Sequence, residues 1–114
     1  MKIKVIIKEP GRYPRSVNIS DTLENLQRTV GGYIETVTLA SDLCVICDEE
    51  GRLKGKEHCC SLGGIDFCGT VILCGVDLEN AEFCDIPYGF DTAKKLFPAM
   101  FAKEGSERNA DIQG

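Results

Sequence analysis

The chain has 114 residues, 43% of them hydrophobic and 27% charged, with seven cysteines and one histidine. That size suits one domain with a real core, and the composition is neither that of a disordered chain nor that of a membrane-embedded one. A net charge of -5 gives a surface that repels phosphate on average, which excludes a general DNA- or RNA-binding role while leaving room for a local basic site.

Taken in chain order, Lys2 to Lys8 alternates Lys2, Lys4 and Ile6 with Ile3, Val5 and Ile7, the period of two expected of a half-buried strand. Glu9-Pro10-Gly11-Arg12-Tyr13-Pro14 is turn chemistry, so Arg15 to Ile19 is expected to pair back as a hairpin. Ser20 or Asp21 then caps a short helix over about residues 22 to 30, with Leu23, Leu26 and Val30 at helical spacing. Gly31-Gly32 closes it, because the residue after a helix often takes a left-handed conformation.

Tyr33 to Leu39 alternates again, and Asp42 to Asp48 is a more continuous apolar run suited to a central strand. The acidic run Asp48-Glu49-Glu50 falls at a turn and reads as solvated, and Leu53 to Leu62 is polar, glycine-spaced and expected to be a loop. Ile65 to Val76 is the longest apolar stretch and reads as the core strand, with Gly69 marking a bulge or a close backbone approach. Glu82 to Ile86 suits a short edge strand. Asp91 is expected to cap a final helix with Leu96, Phe97, Met100 and Phe101 on its apolar face and Pro98 interrupting it.

The expected architecture is therefore α+β: a mainly antiparallel sheet of about five strands, one short helix after the first hairpin and a C-terminal helix. It forms a single domain over residues 1–103, followed by a tail over 104–114 that has no apolar face to bury. No run approaches the roughly 18 apolar residues that span a bilayer, and lysines interrupt the opening segment where a signal peptide needs an apolar stretch. A cytoplasmic protein with its cysteines reduced is the expectation, with no membrane association.

Cys44-Val45-Ile46-Cys47 has the spacing of a metal knuckle, but residues three apart on a strand face opposite sides and cannot share an ion. Cys68 and Cys74 share a face of the long expected strand yet would lie about 20 Å apart. Only His58-Cys59-Cys60 clusters in a loop, and it lacks evident partners for a tetrahedral centre. Neither metal nor any other cofactor is expected. No nucleophile and base stand at a recognisable spacing, so an enzyme is not expected either.

The local concentration of positive charge is Arg52, Lys54 and Lys56, running into His58. A glycine-containing basic loop can hold phosphate, and Tyr33 and Tyr88 offer aromatic faces on which a base can stack.

Val30-Gly31-Gly32-Tyr33-Ile34-Glu35, followed by Cys47-Asp48-Glu49-Glu50-Gly51-Arg52-Leu53-Lys54-Gly55, resembles the small proteins grouped as domain-of-unknown-function family 3846, found in phages and integrative mobile elements. The resemblance covers roughly residues 2 to 76, and His58-Cys59-Cys60 stands where members usually carry an Asn-Arg pair. It implies a setting and no mechanism. The resulting expectation is a non-enzymatic accessory protein that counters a host defence by sequestering a nucleotide-like signal, between copies of a homo-oligomer, with Arg52, Lys54, Lys56, His58, Tyr33 and Tyr88 as its ligand-binding residues. The alternatives are a protein that masks a host defence protein through its acidic face or an exposed sheet edge, and a small zinc-binding module.

Overall fold

The computed structural model describes residues 1–102, so the expected tail over 104–114 lies outside the described residues. Eight strands and three short helices follow in chain order: β1 (Lys2–Lys8), β2 (Arg15–Ser20), α1 (Leu23–Val30), β3 (Ile34–Ala40), β4 (Leu43–Asp48), β5 (His58–Leu62), β6 (Ile65–Cys68), β7 (Val71–Asp77), β8 (Glu82–Cys84), α2 (Phe90–Leu96) and α3 (Pro98–Phe101). The main sheet runs β2-β1-β7-β4-β3, with β8 also pairing with β7, and every pair is antiparallel. The protein is α+β, as the sequence implies.

Three layers follow from which faces are apolar. One face of the sheet carries Ile3, Val5, Ile7, Cys44, Ile46, Ile72 and Cys74 and is covered by Leu26 and Val30 of α1. The other carries Ile6, Val45, Val71 and Leu73 and is covered by the β5–β6 hairpin, through Cys59, Cys60, Leu62 and Phe67, together with α2 and α3. The inner strand β4 is thus buried at all six positions, which is why its sequence is continuously apolar and does not alternate. Cys44 and Cys47 face opposite layers, as their spacing on a strand requires.

Helix α1 starts at Thr22, whose hydroxyl accepts from the Asn25 backbone N–H at 3.2 Å, and not at the expected Ser20 or Asp21. It ends at Gly31, whose φ of 83° is the left-handed conformation that glycine adopts without a steric cost. The C-terminal helix is two pieces: α2 starts after Gly89, leaving Asp91 in the first turn, and Pro98 opens α3 because its missing N–H costs nothing there.

The stretch from residue 53 to residue 76 departs from expectation. Residues 58 to 62 are a strand and not a loop, and Ile65 to Val76 is two strands, not one. The chain breaks at Gly69, with φ of 85°, where an added Cβ would lie 2.7 Å from the Lys56 side chain. Upstream of this break β6 pairs with β5 in a separate two-stranded sheet, while β7 enters the centre of the main sheet. Cys68 and Cys74 therefore lie in different sheets and do not share the face assigned to them. No helix among the described residues is long and apolar enough to cross a membrane.

Candidate functional site

The segment joining β4 to β5 is organised by one carboxylate. Asp48 ends the apolar strand β4, and its side chain is only 1% exposed, so the reading of Asp48-Glu49-Glu50 as a wholly solvated run fails at its first residue. A buried carboxylate needs compensating charge and hydrogen bonds. Lys54 Nζ lies 2.9 Å and Lys56 Nζ 2.6 Å from Asp48 Oδ2, and the Glu50 backbone N–H donates to Oδ1 at 2.9 Å. Burial pushes this carboxyl up, but the bonds from Lys54, Lys56 and the Glu50 N–H outweigh it and hold Asp48 at about 2.

The same two ammonium groups tie this segment to the end of α1. Lys56 Nζ donates to Val30 O at 2.8 Å and Lys54 Nζ to Gly31 O at 3.1 Å, so cations meet the carbonyl end of the helix, where its dipole favours them. Gly32 makes the approach possible: a Cβ there would lie 2.5 Å from Lys54 Nζ and 2.6 Å from Asp48 Oδ1. The Glu49 backbone N–H donates to Tyr33 O at 2.9 Å, which fixes the backbone of the tyrosine against β4. The two motifs read from the sequence, Val30 to Glu35 and Cys47 to Gly55, are thus the two halves of one contact.

A groove of about 480 Å³ lies beside this contact, lined by Arg28, Gly31, Gly32, Tyr33, Glu50 and Lys54, with Glu24 and Gln27. Tyr33 is 69% exposed there, an aromatic ring presented to solvent on a fixed backbone. Of the six residues expected to bind a ligand, the groove brings together Tyr33 and Lys54. Lys56 lies in a neighbouring depression with Gly69 and Thr70, its ammonium committed to Asp48 and Val30. Arg28 is the residue that sequence reasoning missed; its signal was a basic side chain in the last turn of a helix that closes on Gly31-Gly32.

The other expected residues lie elsewhere. Arg52 reaches the Asp66 backbone carbonyl at 3.4 Å and lines a separate cleft of about 390 Å³ with Asp66, Leu53 and Ile65. His58 is 3.5 Å from Asp66 across the β5–β6 hairpin, and the Ser61 hydroxyl donates to the same carboxylate. The Ser61 hydroxyl first, and His58 second, hold the Asp66 carboxyl below its ordinary value. Serine, histidine and aspartate are all present, but the aspartate is in the middle, so the histidine does not receive the serine proton as it would in a catalytic triad. Tyr88 packs against the core on the β5–β6 side of the sheet, its hydroxyl buried without a hydrogen-bond partner among the described residues.

Among the described residues no group of three or more His, Cys, Asp or Glu side chains is placed to hold a metal ion. Cys44 and Cys74 face each other across β4 and β7 with Sγ atoms 3.7 Å apart, and Cys59 Sγ donates to Lys8 O at 3.3 Å.

The fold and the Asp48-centred contact define a small α+β domain whose exposed aromatic and cationic groups converge in one open groove. The chain belongs to the family described as Domain of unknown function (DUF3846), which matches residues 1–97. No curated protein and no solved structure matches it.

Proposed function

We propose that the protein is a non-enzymatic binding protein that holds a nucleotide-like small molecule in the groove between α1 and the segment following β4. The base stacks on Tyr33, and the phosphate is held by Lys54 and Arg28. In the setting of a phage or mobile element, such holding sequesters a host signal and so counters a defence. The observation that carries this reading is the 69% exposure of Tyr33 in one groove with Lys54 and Arg28.

The charge arrangement supports it. Two ammonium groups share the buried carboxylate of Asp48, so the departure of either one leaves it paired with the other. Lys54, the more exposed of the two at 38%, can turn towards an external anion while Lys56 remains on Asp48. An anion is thereby bound without orphaning the buried carboxylate, the costly outcome in a dry environment. Arg28 is 3.6 Å from Glu24 on an exposed helix face, a pair weak enough to be exchanged for phosphate.

Calorimetric titration of nucleoside mono- and diphosphates into wild-type, Tyr33→Ala and Arg52→Ala protein tests the proposal. Stacking of a base on an aromatic ring contributes about 1–3 kcal/mol, so Tyr33→Ala should weaken binding by about tenfold or more. Arg52→Ala, which alters the other cleft, should leave affinity unchanged. Equal affinity of the wild type and Tyr33→Ala would remove the groove from the account.

A further inference from the structure

Strand β3 ends the sheet order, and the phase of its ladder shows which groups it leaves unpaired among the described residues. Residues on an antiparallel strand alternate between those bonded to the neighbour and those turned away. The bond from Glu49 N–H to Tyr33 O makes these two a bonded pair, and the register continues Ile34 opposite Asp48, Glu35 opposite Cys47 and Thr36 opposite Ile46. Glu35 and Val37 are therefore bonded to β4, while Ile34, Thr36 and Thr38 turn their N–H and C=O groups to the outer edge.

Proteins usually block such an edge with lysine, proline or a bulge. Ile34-Glu35-Thr36-Val37-Thr38-Leu39-Ala40 contains neither lysine nor proline, and its bulge comes only after Thr38. Beside the open stretch lies the cleft of about 390 Å³, into which Glu35 and Val37 face. Its rim carries two exposed apolar side chains, Leu53 at 86% and Ile65 at 42%. Three of its carboxylates, Glu35, Glu49 and Asp66, are outside the lysine cluster of Asp48, and Arg52 is the cation that lines it.

We propose that β3 is a docking edge for an extended segment of a partner protein in which basic and apolar side chains alternate. The segment adds to Ile34–Thr38 as a further strand through backbone bonds, as in strand addition generally. Its basic side chains lie on the cleft face and meet Glu35, Glu49 and Asp66, their methylene stems covering Leu53 and Ile65, while its apolar ones continue the opposite face beside Ile34. Charge selects this occupant over a second copy of the chain, because pairing two β3 edges would bring two sets of these carboxylates together.

The test is titration of isotopically labelled full-length protein with a synthetic peptide of alternating lysine and valine, about seven residues long to match the strand. Amide shifts are expected at Ile34, Thr36 and Thr38, with binding that weakens as salt is raised. A glutamate–valine peptide should not bind, nor should a lysine–valine peptide N-methylated on the edge that faces β3. Glu35→Lys, a change at an exposed position, should weaken the lysine–valine peptide by about tenfold or more. Tyr33→Ala should not change it, which separates this edge from the groove. Equal binding of the acidic peptide, shifts confined to other strands, or a protein that is already a dimer through β3 would each overturn the proposal.

Discussion

Replacing Asp48 with Asn removes the charge that organises the segment after β4 while leaving a side chain of the same shape. The wild-type carboxyl is held at about 2 instead of 3.8, a preference for the charged form in the folded state on the order of 2–3 kcal/mol. In Asp48→Asn the two ammonium groups, 38% and 25% exposed, lose their shared counter-charge, and an amide nitrogen faces one of them. The expected loss is about 2–3 kcal/mol near neutral pH, measured by urea unfolding, or about 10 °C or more in Tm. The pH dependence has a definite sign. Because the folded-state value is depressed, the stabilisation is fully present above the ordinary carboxylate range and disappears as pH falls from about 4 to about 2. The gap between wild type and variant should close over that window. A variant within about 0.5 kcal/mol of wild type at neutral pH would refute the reasoning, because such a change is typical of an uninvolved surface site.

Lys56→Ala should destabilise by about 1–2 kcal/mol, since it removes bonds to both Asp48 and Val30, and more than Lys54→Ala, which leaves Lys56 on the carboxylate; parallel urea titrations give the order. Gly32→Ala should disrupt the Lys54–Asp48 contact, seen as an upward move of the Asp48 carboxyl in an NMR pH titration. Lys8 is 2% exposed, donates to Glu9 O at 2.9 Å and forms no ion pair among the described residues, so Lys8→Met should be neutral or raise stability by about 1 kcal/mol in thermal unfolding. Cys47, pushed up to about 11 by burial and then by Glu35 and Asp48, should resist a thiol reagent at neutral pH, and the half-buried Cys68 should react first, read by mass spectrometry of the labelled protein.

The elements legible in the sequence were those with an unbroken signal. Strand β1, the hairpin to β2, helix α1 and strand β3 could be read from their spacing and turn residues, and β4 from a continuous apolar run, because it is buried on both faces. Strand β5 was not legible: the register shifts between His58 and Cys60, so Cys59 and Cys60 are both buried and the alternation that marks a strand disappears. The β6–β7 break was visible only as Gly69, because apolar residues in two different sheets look like one run. At the site, the sequence displayed the cations Arg52, Lys54 and Lys56 but not their partners. Only the fold shows that Asp48 and the α1 carbonyls hold the lysines while Arg52 turns to another cleft. Two lysines six and eight residues beyond an aspartate that ends an apolar strand were the available signal.

Backbone amide shifts of isotopically labelled full-length protein during titration with nucleoside diphosphates, taken to about 1 mM ligand, test the binding claim most directly. The account predicts perturbations confined to Arg28 through Tyr33 and to Lys54, with Arg52, His58 and Tyr88 unmoved. Perturbations centred on Arg52 and His58, or none with any nucleotide, would contradict it.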